Sequence, residues 1–169
     1  MESRVKEFGH PAHPLMIVFP LGLFFTALIF DVIQLFNNDG IWSLISFYLI
    51  GTGLIFGVAA AVLGAIDWRA IPAGTRAKRI GNMHAAANIG MMILFAISWL
   101  IRMGDPARPE ALAILIAFAA GFVGFLGGWL GGELVYRLGI GVYPDAHMNA
   151  SPAWTIDKGE AAQQEPSRP

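Results

Sequence analysis

Residues 41–67, IWSLISFYLIGTGLIFGVAAAVLGAID, decide the fold class, because they form an apolar run with no charge before its last residue. A helix that crosses the hydrocarbon core of a bilayer needs roughly 20 mostly apolar residues. The run also carries small residues at helical spacing, at Gly53, Gly57, Ala60 and Gly64. Such a stripe lets two helix backbones approach closely where lipid supplies no hydrophobic drive. The stretch therefore predicts a membrane-spanning helix whose small-residue face points into a bundle.

Three further stretches are long and apolar enough to span a bilayer, namely residues 14–35, 84–101 and 111–138. The sequence FNNDG (36–40) supplies asparagine, aspartate and glycine for a tight turn after the first span. RMGDPARPE (102–110) joins the last two spans, and its prolines end one helix and begin the next. Because short connections join antiparallel neighbours, we predict an all-α fold, a transmembrane four-helix bundle made of two antiparallel hairpins.

The composition is that of a membrane domain followed by a polar tail. Of the 169 residues, 56% are hydrophobic and 14% are charged, whereas average usage is about 45–50% and about 25%. The absence of cysteine excludes disulfides, thiolate metal sites, cysteine-ligated iron–sulfur clusters and c-type haem attachment. The net charge of −1 argues against nucleic acid as a partner. Residues 1–143 are predicted to form the membrane domain, and residues 144–169 a disordered cytoplasmic tail.

The orientation follows from the distribution of lysine and arginine, which favour the cytoplasmic side of a membrane. With four spans, both termini and the middle connection share one side. That side holds Arg4, Lys6, Arg69, Arg76, Lys78, Arg79, Arg137, Lys158 and Arg168, whereas the other side holds Arg102 and Arg108. Residues 1–8 carry acids and no cleavage signal, so the first span is expected to stay in the membrane. For a bacterial inner membrane, both termini are then predicted to be cytoplasmic.

The segment HPAHP (10–14) places two histidines, each followed by proline, just before the first span. Proline pushes the residue before it towards an extended conformation and is favoured at the first helical position. We therefore expect a stiff, extended segment with Pro14 as the first helical residue and His13 at the helix cap. Stiffness limits the entropy lost when a side chain is held as a ligand. The alternative is a rigid linker whose histidines only cap and hydrogen-bond.

Polar side chains from all four predicted helices are expected at one depth on the cytoplasmic side. They are His10, His13, Asp67, His84, Asn88 and Glu133. Ionisable groups within spans are costly, and they usually face the interior, pair with one another or serve a function. Asp31 lies near the opposite end of its span, where Arg102 could neutralise it.

Each member of this set also has an ordinary structural interpretation. Asp67 beside Arg69 is a possible helix-end ion pair, and Glu133 has Arg137 four residues later, a common helical pair. Asn88 is typical of an interhelical hydrogen bond, and His84 of an interfacial residue near the basic middle connection.

Four motifs resemble one bacterial membrane-protein family that is known as domain of unknown function 2231. They are HPAHPLMIVFPLGL (10–23), GLIFGVAAAVLGAIDW (53–68), IGNMHAAANIG (80–90) and GGWLGGELVYRLGIGV (127–142). The resemblance covers about residues 8–143 and includes the six polar residues at one depth. It implies a four-helix inner-membrane domain but no established activity. Some relatives are joined to Rieske-type iron–sulfur domains, which points to redox chemistry, although this chain lacks that domain.

The first functional hypothesis is a redox subunit that binds b-type haem, because haem takes histidine axial ligands without covalent attachment. His13 and His84 are the predicted axial pair, and Arg76 or Arg79 would meet the propionates. The glycine stripes would leave space for the flat haem ring between the helices. Redox proteins, the lipid bilayer and a second copy of this chain are the expected partners.

The second hypothesis is a non-haem divalent metal site, since imidazole and carboxylate together suit zinc, iron or manganese. Its predicted ligands are His10, His13, His84, Asp67 and Glu133. The alternative to both is a structural or partner-binding membrane module without a cofactor. A transporter is disfavoured because the middle of the spans has almost no polar residue. No Gly-rich phosphate loop, nucleophile motif or helical HExxH indicates a soluble-type enzyme.

The orientation is tested by a reporter fused after Lys158. Because the charge distribution predicts a cytoplasmic C-terminus, we expect a reporter that is active only in the cytoplasm to be active there. Activity of a reporter that works only outside the membrane would reverse the orientation and the predicted side of the polar set.

Overall fold

The computed structural model describes residues 1–153, so most of the predicted disordered tail lies outside the described residues. Within these residues, four helices are long and apolar enough to cross a membrane. They are α1 (Ala12–Asn37), α2 (Gly40–Ala70), α3 (Arg76–Arg102) and α4 (Ala111–Gly132), and a π-helical turn, Glu133–Arg137, extends α4. The predicted all-α class is confirmed, and the architecture is compatible with a transmembrane four-helix bundle.

The bundle consists of two hairpins, because α1 packs mainly on α2 and α3 mainly on α4, with a smaller contact between α2 and α3. Asn38 ends α1 in the left-handed conformation, at φ 51°, and its N–H donates to Gln34 O. Asp39 then caps α2, since its carboxylate accepts from Ile41 N at 3.2 Å. FNNDG therefore makes the tight turn that its residue types predict.

Helix α3 begins at Arg76, eight residues before the predicted start of the third span at His84. Thr75 Oγ1 accepts from Lys78 N at 3.0 Å and caps the helix, and arginine and lysine are good helix formers. The polar residues 76–83 thus extend the apolar span as helix, although hydropathy alone placed them in a loop. The connection between α2 and α3 shortens to residues 71–75.

The chain enters α1 through a short hairpin that the sequence analysis did not predict. Strand β1 (Lys6–Glu7) pairs antiparallel with β2 (His10–Pro11). Phe8 and Gly9 both have positive φ, 50° and 80°, as a two-residue hairpin turn requires. Helix α1 starts at Ala12, so His13 lies within its first turn and not at the cap. Pro14 fits there because the first-turn N–H groups have no helical partner.

The core lies midway along the bundle, where the rings of Phe24 and Phe95 stack with centroids 4.1 Å apart. Ala27, Ile50 and Met91 are buried around them. Large apolar side chains point outward along all four helices, which matches contact with lipid. This apolar middle separates a polar layer at each end of the bundle.

The small-residue stripe of α2 faces inward, as predicted. A Cβ atom on Gly53 would lie 2.7 Å from Phe24 Cε1, and one on Gly57 would lie 2.4 Å from Met92 Sδ. On α4, Gly124 faces Met91 Sδ in the same way, but Gly128 has no atom within 4 Å of its Cβ position. The G-x-x-x-G spacing of Gly124, Gly128 and Gly132 in the sequence predicts that these three residues share the inward face of α4. That prediction is wrong at Gly128, because the packed face follows Gly124, Gly127 and Gly131.

A buried ion pair joins α1 to α3 at the end of the bundle opposite the termini. Arg102 Nη1 and Nη2 donate to the two Asp31 oxygens at 2.8 and 2.6 Å, and both side chains are fully buried. Arg102 also donates to Ser46 Oγ on α2 and to Ser98 Oγ. Ser98 Oγ in turn donates to Ala113 O on α4 at 2.7 Å. The network touches all four helices and confirms the predicted neutralisation of Asp31.

Gly53→Leu tests the packed face of α2. The added side chain would meet the Phe24 ring, which cannot move away because it stacks on Phe95, so we expect a loss of about 1–3 kcal/mol in the free energy of unfolding. Gly128→Leu is the matched control and should leave stability unchanged. Equal thermal stability of both variants in detergent would contradict the assigned faces.

Asp31→Ala tests the buried ion pair. The variant leaves a buried guanidinium without its counter-ion, and we expect it to lose about 3–5 kcal/mol of stability. Replacing both partners, as Asp31→Leu with Arg102→Met, should recover most of this loss because no charge remains buried. Unfolding measurements in detergent distinguish the cases, and a single variant as stable as the wild type would refute the role of the pair.

Candidate functional site

Two histidines from different hairpins meet inside the end of the bundle where α1 and α3 begin, here called the termini end. The ring centroids of His13 and His84 lie 6.4 Å apart, with the ring planes nearly perpendicular at 87°. Both residues are half-buried. The sequence analysis predicted this approach, because it placed both histidines at the same depth along the bundle.

Each ring is oriented by a backbone carbonyl of the neighbouring helix in its own hairpin. His13 Nδ1 lies 2.8 Å from Ala60 O on α2, and His84 Nδ1 lies 2.9 Å from Gly127 O on α4. A carbonyl oxygen only accepts, so each Nδ1 carries the proton and donates it. In the neutral rings the lone pair is then on Nε2. Both imidazoles are thereby fixed in the same tautomer.

Glycines provide the space for both rings. A Cβ atom on Gly64 would lie 2.8 Å from His13 Cε1, and one on Gly131 would lie 3.1 Å from His84 Cε1. In both hairpins the glycine lies four residues after the carbonyl that holds the ring. The two halves of the domain thus seat their histidines in the same way.

Asn88 supports His84 one helical turn further along α3. Its Nδ2 donates to His84 O at 2.8 Å and lies 3.3 and 3.4 Å from the two ring nitrogens. The amide also packs against Gly127, whose Cβ position lies 3.0 Å from it. Asn88 therefore positions His84 within its own helix, and among residues 1–153 its side chain forms no hydrogen bond to another helix.

The two predicted carboxylates of the termini end have other partners. Asp67 accepts from Ser3 Oγ and from Arg4 N, both at 2.7 Å. Glu133 forms an ion pair with Arg76 at 2.6 Å, which links α4 to the start of α3.

The sequence also suggested that Asp67 pairs with Arg69 and Glu133 with Arg137. Both suggestions are wrong, since neither pair is an ion pair among residues 1–153.

The five-residue metal set predicted from the sequence is not assembled. His10 is exposed on strand β2, and the carboxylates are held by the N-terminal segment and by Arg76. Within residues 1–153, no three histidine or carboxylate side chains are placed to hold a metal ion together. The positions of these residues along the spans correctly placed them at one end of the bundle, but they could not show which way each side chain points.

The N-terminal segment crosses the termini end and ties the helix ends together. The Met1 ammonium group donates to Gly139 O at 3.0 Å, and Gly141 N donates to Met1 O at 2.8 Å. Tyr143 Oη donates to Gly9 O in the hairpin turn. Nothing in the sequence marked residues 1–5 for this role, because backbone groups make most of these bonds.

The profile of a family described as "Predicted membrane protein (DUF2231)" matches residues 9–144. This chain belongs to the DUF2231 family. The match begins just before His10 and ends after the π-helical turn, so the DUF2231 domain includes all four helices and both histidines. No curated protein and no solved structure matches the chain.

Within this DUF2231 domain, the spacing of the His13 and His84 rings can be compared with that of two imidazoles on one metal ion. An imidazole nitrogen lies about 2.0–2.1 Å from a bound metal such as zinc, so two imidazoles on opposite sides of one ion have centroids about 6 Å apart. The observed 6.4 Å is close to this separation. The Nδ1–H bond to a carbonyl is also the usual arrangement around metal-ligating histidines.

A flat haem has less space here than the glycine stripe of α2 suggested. Gly53 is filled by the Phe24 ring, Gly57 by Met92 Sδ and Gly64 by the His13 ring. Of the two arginines expected near propionates, Arg76 is paired with Glu133, and Arg79 is exposed. A macrocycle between these helices would require these side chains to move.

Proposed function

We propose that this DUF2231 domain binds one transition-metal ion between His13 and His84 and serves electron transfer at the membrane. The observation that carries the proposal is the matched orientation of the two rings, each with Nδ1–H on a helix carbonyl. This leaves a lone pair on each Nε2, although the amide nitrogen of Asn88 lies 3.4 Å from Nε2 of His84 and would have to give way to a ligand there. Both histidines could therefore bind a metal ion in the tautomer that they already have.

Imidazole ligands suit copper, iron, nickel and zinc, and the first two would supply one-electron chemistry when bound. The chain's own contribution is to fix both rings through Ala60 and Gly127 and to position His84 through Asn88. The apolar layer that begins at Met91 limits the access of water from the membrane side. The redox assignment itself comes from the Rieske-type domains that accompany some relatives. We also propose that the domain associates with redox partner proteins and with a second copy of itself.

Haem is the second candidate, favoured by the same centroid separation of 6.4 Å. His13 and His84 would hold the haem iron, and the haem would supply one-electron chemistry when bound. This candidate requires Phe24 and Met92 to leave the glycines that they now cover. A structural or partner-binding module without a cofactor is the remaining alternative, in which the two rings only join the hairpins by hydrogen bonds.

The proposal is tested by metal analysis and absorption spectroscopy of the protein purified in detergent. We expect close to one metal ion per chain in the wild type, and loss of nearly all of it in His13→Ala and in His84→Ala, because each removes one of the two ligands. His10→Ala and His147→Ala should keep the metal. A Soret band that disappears in the same two variants would identify haem.

Thermal stability of the variants serves as the folding control. If the wild type neither contains a metal ion nor binds copper, iron or zinc on titration, the metal proposal is refuted and the structural module stands. Metal content unchanged in both His13→Ala and His84→Ala would also refute the assigned ligands.

A further inference from the structure

The surface between the end of α2 and the start of α3 carries a hollow of about 270 Å³, lined by Gly74, Thr75, Lys78, Arg79 and Asn82. We propose that this hollow, together with the exposed Arg69 that follows Trp68 in the sequence, binds the phosphate headgroup of an anionic phospholipid. The inference concerns a different part of the molecule from the histidine pair and does not depend on it.

Lys78 and Asn82 are held in place by Trp68. Lys78 Nζ donates to Trp68 O at 2.6 Å and lies 3.7 Å from the centroid of the indole ring. Trp68 Nε1 donates to Asn82 Oδ1 at 2.7 Å. The oxygen of the Asn82 amide is thereby occupied, and its NH₂ group keeps its donors. The hollow is therefore lined by an ordered ammonium group and an amide whose free end donates, which suits an anion.

The positive charge of this surface is not neutralised within the described chain. Residues 1–153 contain three ion pairs, and none of them includes Arg69, Lys78 or Arg79. The carboxylates of Asp67 and Glu133, at the same end of the bundle, are already engaged by the N-terminal segment and by Arg76. Arg69 and Arg79 are exposed, so both guanidinium groups are available to a ligand.

The position of the hollow distinguishes a lipid from a soluble anion. Trp68 directly follows the apolar span of α2, and tryptophan is enriched at the membrane–water interface, level with the lipid headgroups. Exposed apolar side chains such as Val62 on α2 and Ile89 on α3 continue from this level towards the middle of the bundle, where acyl chains would contact them. Basic clusters next to a transmembrane helix attract anionic lipids. A free phosphate would use the same basic groups but none of the apolar surface.

The test is native mass spectrometry of the full chain in detergent, titrated with phosphatidylglycerol, with phosphatidylcholine of the same chain length and with inorganic phosphate. We expect the wild type to prefer phosphatidylglycerol. The double variant Arg69→Gln with Arg79→Gln should bind it more weakly, by roughly fivefold for each arginine removed. Neither arginine side chain has an ion-pair partner among residues 1–153, so the variant should fold normally. Arg108→Gln, at the other end of the bundle, should bind like the wild type, and Arg79→Lys should retain most of the affinity.

Three outcomes would overturn the proposal. One is phosphatidylglycerol binding that is unchanged in the double variant, and another is equal binding of phosphatidylcholine by the wild type. The third is inorganic phosphate bound as tightly as phosphatidylglycerol, which would assign the hollow to a free anion. Weaker binding at higher salt supports the electrostatic basis, since exposed charges are screened.

Discussion

The bidentate ion pair between Asp31 and Arg102 is the interaction on which the arrangement of the helices depends. Both side chains are completely buried, and lipid offers no water to a charge that loses its partner. Any rotation or sliding of α1 against α3 would separate the two charges, at a cost of several kcal/mol per uncompensated ion. Ser46 and Ser98 extend the constraint to α2 and α4. One ion pair therefore fixes the register of the whole bundle at this end.

The same register places the histidine pair at the opposite end. Asp31 lies eighteen residues after His13, and Arg102 lies eighteen residues after His84. Eighteen residues are five helical turns at 3.6 residues per turn and span about 27 Å, so each helix presents the same face at both ends. The stacked pair Phe24 and Phe95 lies between them on that face.

The two hairpins are thus built alike. On α2, Ala60 O accepts from His13 Nδ1 and Gly64 leaves space for the His13 ring. On α4, Gly127 and Gly131 do the same for His84. The equivalent positions orient both imidazoles in the same way, with Nδ1–H on a helix carbonyl. The constant offset between His13 and His84, Phe24 and Phe95, and Asp31 and Arg102 is an internal repeat, and it was the signal in the sequence that could have identified these pairs before the structure.

The sequence by itself determined the fold class, the four spans and the turn at FNNDG, because apolar length and turn chemistry are local constraints. It also predicted the pairing of Asp31 with Arg102, because a charge inside a span needs a counter-charge and Arg102 is at the same end of the bundle. Shared depth along the spans also predicted the approach of His13 to His84. Only the tertiary structure decided the partners of the remaining polar groups. Asp67 binds the N-terminal segment, Glu133 binds Arg76, and each histidine binds a backbone carbonyl. These partners depend on the direction of each side chain and on backbone groups that are present at every residue. Residue types and their spacing therefore do not predict them.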